Sequence, residues 1–142
     1  MTNDVFPDPS TTLGQRVRER LASEVAVWLT TTGADGTPQP NPVWFLWEGE
    51  DTVLVYNRAG AKRIAHVRNR PRVSLNFNAN AQGGDIQVLT GTAELLEGYP
   101  LAHEHKAFAE KYAEQTARVF AGAEDFARKY PVAMRITIDR VR

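Results

Sequence analysis

The hydrophobic positions change period several times along the chain, and each change marks an element. Leu13, Val17 and Leu21 recur every fourth residue and predict an amphipathic helix over roughly 11–22, with Thr12 and Gln15 at capping-box spacing. Residues 24–32 are short, β-branched and aromatic and predict a strand, followed by turn chemistry at Gly33-Ala34-Asp35-Gly36. A second strand is predicted from Pro40 to Glu48, carrying Val43, Trp44, Phe45, Leu46 and Trp47, and a third over Thr52–Asn57. Ala61, Ile64 and Ala65 return to helical spacing and stop before Pro71. Arg72–Asn78 alternates, with Val73, Leu75 and Phe77 on one face. Ile86–Leu96 is a long strand with a bulge expected at Gly91. Leu101, His105, Phe108 and Tyr112 form a helical stripe behind Pro100, and a second short helix covers about Ala123–Tyr130. Val132, Met134, Ile136 and Ile138 alternate in a last strand.

Six strands joined mostly by tight turns, with three or four helices, favour a mainly β fold, a six-stranded antiparallel barrel with flanking helices, over a doubly wound α/β sheet. Residues 1–9, with two prolines and two aspartates, are expected to be a flexible N-terminal arm, and 10–142 a single domain. At 142 residues the length suits one domain with a real core.

Composition narrows the chemistry. Seventeen basic against seventeen acidic residues give a net charge of zero, which counts against a nucleic-acid-binding protein. No cysteine is present, so disulfides, thiolate metal sites and cysteine nucleophiles are excluded. No apolar run approaches a membrane-helix length, and the N-terminus lacks a basic region followed by an apolar stretch; a cytoplasmic protein is expected. Arginine outnumbers lysine by 13 to 4, which we read as the mark of a GC-rich bacterial genome.

The charge is uneven along the chain. Arg58, Lys62, Arg63, Arg68, Arg70 and Arg72 fall within fifteen positions that hold no acid. Such a block is commonly a solvated face. Lys62 and Arg63, however, open a helix, where positive charge opposes the helix dipole, and that placement makes sense if an anion arrives there. Pro38, Pro40 and Pro42 read either as an edge strand blunted against aggregation or as a rigid wall for a flat ligand, with the Asn41 amide placed to meet a ring edge. His103 and His105 are two apart and cannot share a metal; His105 is expected in the core or an interface, and His66 on the wet side of its helix. The three tryptophans are expected in the core. No nucleophile elbow, Walker loop or dinucleotide fingerprint is present.

The segments Asn41-Pro42-Val43-Trp44-Phe45, Val53-Leu54-Val55-Tyr56-Asn57, Lys62-Arg63, Asn69-Arg70-Pro71-Arg72-Val73-Ser74-Leu75 and Gly91-Thr92-Ala93-Glu94 come in an order that resembles the pyridoxamine 5′-phosphate oxidase-like, FMN-binding split-barrel superfamily. The resemblance runs from about residue 20 to 142. Within it, the Pro40-Asn41-Pro42-Val43-Trp44 opening looks most like the actinobacterial branch that uses the deazaflavin coenzyme F-420. The resemblance implies a homodimer with cofactor sites between subunits, a phosphate held near Tyr56, Asn57, Arg58, Lys62 and Arg63, a cofactor ring along Asn41, Pro42, Val43 and Trp44, and Gln87 as a contact contributed by the partner subunit. It implies an oxidoreductase that transfers hydride between F-420 and a small planar substrate. The alternative is an FMN-dependent protein, or a non-catalytic flavin carrier. Oxidation of pyridoxamine phosphate itself is not expected. The oxidase's basic residues at the ends of its second-strand segment correspond here to neutral Asn41 and Leu46, and its C-terminal substrate-binding extension is missing after Arg142.

Overall fold

A computed structural model describes residues 5–142. The element order is α1 (Thr12–Ser23), β1 (Ala26–Thr32), β2 (Pro38–Trp44), β3 (Leu46–Trp47), β4 (Thr52–Asn57), α2 (Lys62–Asn69), β5 (Arg72–Asn76), β6 (Val88–Leu96), α3 (Lys106–Lys111), α4 (Ala113–Val119), α5 (Ala123–Lys129) and β7 (Val132–Val141). The strands form one antiparallel sheet in the order β2-β1-β5-β6-β7-β4-β3, curled into a split barrel.

Seven strands stand where six were expected, because the single strand predicted from Pro40 to Glu48 is two. β2 lies on one edge of the sheet and β3 on the other, and only Phe45 joins them. The chain therefore passes from edge to edge in one residue. The physical reason is local. The Phe45 N–H donates to the Tyr112 hydroxyl at 2.7 Å, and the Phe45 carbonyl accepts from Lys111 Nζ at 2.7 Å. Its backbone groups are thus satisfied by α3 and Tyr112 instead of by a neighbouring strand.

The alternating residues sort the core into two layers. Val27, Leu29, Val53, Val55, Leu75, Leu89, Ile136 and Ile138 fill the barrel beneath α1. Leu54 and Tyr56 point out of the other face of β4 and pack with Phe108, Tyr112, Phe126 and Ala133. Both faces of β4 are therefore covered. Gly91 carries the expected irregularity, with a register shift at Thr90/Gly91. A Cβ at Gly91 would sit 2.2 Å from the Thr137 carbonyl oxygen, so β7 can approach only a glycine.

Several local expectations change. The cap of α1 is Thr11, which accepts from the Gly14 N–H at 3.0 Å, one residue earlier than the Thr12 spacing implied. The stripe behind Pro100 is not one helix. Leu101–His105 form a turn, and α3 starts at Lys106 with His105 as its cap, Nδ1 accepting from the Phe108 N–H at 3.2 Å. His105 is half-buried, not a core residue. His66 is buried, its Nδ1 lying 2.9 Å from the Thr31 hydroxyl, because α2 turns its 64–66–67 side onto the barrel. Trp28, Trp44 and Trp47 are half-buried instead of core. Residues 1–4 of the expected arm lie outside the described residues. Of the rest, Phe6 stacks on Trp47 and the Pro7 carbonyl accepts from Arg18 at 2.8 Å.

Candidate functional site

β4 delivers Tyr56 and Asn57 to one end of the barrel, a tight turn follows at 58–61, and α2 begins at Lys62. The α2 N-terminus has no side-chain cap and no acid in its first turn. Facing it across a cleft are the end of β2 and the α4–α5 pair. The cleft measures about 400 Å³, within the range of small-ligand sites.

Seven of the ten residues expected at a cofactor site line this cleft: Asn41, Pro42, Val43, Trp44, Tyr56, Arg58 and Arg63. Residues 85 positions apart in sequence, such as Asn41 and Phe126, thus share one hollow only because β2 curls back toward β4.

Asn57 is fully buried and does not line the cleft. It sits behind the wall, where Nδ2 donates to the Val132 carbonyl at 3.0 Å and Oδ1 accepts from Arg63 Nε. Asn57 therefore orients the Arg63 fork. Burial pushes the Arg63 guanidinium below its ordinary range, since a charged group loses hydration there. Among the described residues no carboxylate pairs with Arg58, Lys62 or Arg63. Arg58 lies over the Tyr130 ring at 4.5 Å, a cation–π contact that leaves its donors free.

Tyr56 lends the cleft its ring, while its hydroxyl donates to the Pro100 carbonyl at 2.6 Å. Burial raises its phenol far above the usual range, so it stays protonated. Lys62 is exposed and off the cleft wall. Gln87 is buried elsewhere in this chain, accepting from Arg20 at 2.7 Å and donating to Asp85 at 3.0 Å.

The basic block disperses in three dimensions. Arg58 and Arg63 face the cleft, while Arg68 lines a separate groove beside Pro71 and Glu94. Arg70 donates to the Thr32 carbonyl at 2.9 Å, and Arg72 pairs with Asp139.

The part of the site that sequence reasoning missed is aromatic. Phe120, Phe126 and Tyr130 line the cleft with Val119 and Ala61. Trp44 stacks on Tyr112 with centroids 4.6 Å apart and on Phe126 at 5.0 Å, and Phe126 stacks on Tyr130 at 4.6 Å. The i, i+4 spacing of Phe126 and Tyr130 was a signal, but one indistinguishable from ordinary core packing.

Comparison with known proteins follows this geometry. Residues 13–142 match the family model for pyridoxamine 5′-phosphate oxidase. The chain belongs to that family. A pyridoxine/pyridoxamine 5′-phosphate oxidase from Citrobacter koseri is 32% identical over 98 residues, 66% of this chain but 44% of the relative. The chain thus matches less than half the length of that relative. Among solved structures, an F-420 reductase superposes with a TM-score of 0.66 at 16% identity, covering 88% of this chain and 94% of the other. The conserved hypothetical protein Rv2991 from Mycobacterium tuberculosis gives 0.69 at 18% identity, over 100% and 88%. The heme storage protein HutZ from Vibrio cholerae gives 0.64 at 13%, over 93% and 94%. These likenesses show a shared split-barrel fold.

Proposed function

We propose that this family member is an oxidoreductase that binds the deazaflavin coenzyme F-420 in the cleft and serves hydride transfer to a small planar substrate, as a member of the deazaflavin-using actinobacterial branch. The observation that carries the reading is Arg63: a half-buried guanidinium with no acid partner among the described residues, oriented by Asn57, at one end of a cleft rich in aromatic side chains. A desolvated cation is unfavourable unless an anion completes it, and a bidentate fork suits phosphate. The cofactor, when bound, supplies the hydride chemistry. This chain's residues would hold its phosphate with Arg58 and Arg63 and flank its ring with Asn41–Trp44. Lys62, exposed beside them and without an ion pair among the described residues, is available to a longer anionic tail.

A second reading uses FMN. It is favoured by the dispersal of the basic block, which leaves only Arg58 and Arg63 facing the cleft. A non-catalytic flavin carrier has the same binding requirements and differs in turnover. The homodimer implied by the family resemblance is part of the proposal, with the exposed β2 edge and the open cleft mouth as its support. Separate titrations of the cofactor-free protein with F-420 and FMN, followed by tryptophan quenching, test the reading. Tighter binding of F-420, lost in Arg63→Ala, supports it. Preference for FMN transfers it to the second reading, and binding of neither overturns it.

A further inference from the structure

The cleft has two chemically unlike ends. Arg58 and Arg63 mark one. The other is built by the α4–α5 pair and is apolar: Val119, Phe120 and Phe126 against Trp44. The charges on α4 and α5 balance, Glu114, Glu124 and Asp125 against Arg118, Arg128 and Lys129, and each of the three cations holds an acid. Arg118 pairs with Glu114, and Arg128 and Lys129 both pair with Asp125.

That end is also held in shape. The Asp125 carboxylate accepts the Ala121 N–H at 3.0 Å, and the Thr116 carbonyl accepts the Phe120 and Gly122 N–H groups, both at 3.1 Å. Gly122 takes a φ of 102°, which lets the chain reverse between the two helices. Val119 is thereby presented at the rim with 65% of its surface exposed, more than any other large hydrophobic side chain among the described residues. A single exposed valine is ordinary; one fixed at the mouth of an aromatic cleft is a surface waiting for apolar contact.

We propose that the Val119–Phe120 end of the cleft is a substrate subsite for an uncharged ring compound, one lacking phosphate and carboxylate. The assignment rests on the cofactor reading above for the occupant of the arginine end. At the α4–α5 end an anionic substrate would meet only cations that already hold an acid, Lys129 among them at 5.7 Å from the Phe120 ring. A cationic one would be repelled by Arg58 and Arg63. A neutral ring gains offset or edge contacts with Phe120 and Trp44 and covers Val119. This differs from the charged, phosphorylated substrate for which pyridoxamine 5′-phosphate oxidase is named.

The matched probes 2-naphthol and 2-naphthyl phosphate separate the two chemistries. Calorimetric titration of FMN-saturated protein is expected to show 2-naphthol binding at least tenfold tighter than its phosphate. Val119→Asp should weaken 2-naphthol at least tenfold, and by at least fivefold more than it weakens FMN. Phe120→Leu should weaken it severalfold, with Val119→Leu close to wild type. Equal or tighter binding of the phosphate, or no loss in either Val119→Asp or Phe120→Leu, overturns the subsite. The cofactor reading fails separately: if neither FMN nor F-420 binds, the same titrations on the cofactor-free protein still decide the subsite through Val119→Asp.

Discussion

The Tyr112 hydroxyl accepts the Phe45 N–H at 2.7 Å, at the one residue where the chain crosses from one edge of the sheet to the other. Its own proton faces the Val25 carbonyl at 2.7 Å, so one phenol ties the entry to β1 to the β2–β3 junction. Its ring also stacks on Trp44. Fold closure is therefore linked through Tyr112 to Trp44 of the cleft wall.

Replacing Tyr112 with phenylalanine keeps the ring and removes the tie. The buried Phe45 N–H is then left without a partner, at about 1–3 kcal/mol. Urea denaturation should show that loss. The near-ultraviolet circular dichroism of Trp44 should change with it. An unchanged midpoint would mean that the ring alone holds the junction.

Lys111 predicts an alkaline rise in stability. Burial lowers its ammonium from 10.5 to about 8, with Glu24 opposing weakly, although Nζ donates to the Phe45 carbonyl. Below pH 8 both folded and unfolded chains carry the proton and the desolvation penalty is full. Between about 8 and 10.5 the unfolded chain binds more protons, so stability climbs with pH; one proton bounds the slope at about 1.4 kcal/mol per unit. Tyr56 and Tyr112, whose phenols are raised by burial, act in the opposite sense once unfolded tyrosines ionise near pH 10. The rise should therefore show between pH 8 and about 9.5 in denaturation midpoints, and Lys111→Met should flatten it. An equal slope in that variant would assign the effect to another group.

Gly91→Ala should destabilise by about 1–3 kcal/mol, because the added methyl meets backbone, the Thr137 carbonyl, instead of a side chain that can swing away. Differential scanning calorimetry gives the reading. A neutral result would mean that β7 can shift at the bulge.

Asn57 and Arg63 should separate cleanly in FMN titrations. Arg63→Ala removes charge-assisted contacts and should weaken binding about 10- to 100-fold. Asn57→Ala keeps the charge but frees the fork, and should weaken binding about three- to tenfold while also lowering stability by about 1 kcal/mol through the orphaned Val132 carbonyl. Equal losses in the two variants would make Asn57 a ligand contact and not a positioning residue.

The strands were legible where one face alternates, as in Arg72–Asn76 and Val132–Val141, because a two-residue period has one reading. The glycine at 91 was legible because a lone glycine inside a strand pattern signals close backbone approach. The break at Phe45 was not, since Val43–Trp47 is apolar throughout and the group that interrupts it, Tyr112, lies 67 residues away. His66 was placed on the wrong side of α2 for a similar reason: Thr31 satisfies it, and nothing near His66 in sequence announces that. At the cleft, the charged end could be read from Arg63, a cation unusual in the first turn of a helix, and from Arg58 at the strand-to-helix junction, although Lys62, read with them, lies off the cleft wall. The aromatic end could not, because Phe126 and Tyr130 look the same in sequence whether they line a core or a cleft.

The junction at Phe45 also limits how the chain can change length. A side chain in a strand switches faces with every residue added or removed. One inserted residue between Pro38 and Trp47 would either turn Val43 out of the barrel or unseat Leu46 from Leu54, because a one-residue crossing has no slack to absorb it. The exposed stretches 80–83 and 97–98, which lie outside helices and strands, carry no such constraint. Insertions and deletions should thus be survivable there and lethal across 38–47, so the strand that walls the cleft is the stretch of this protein least free to drift in length.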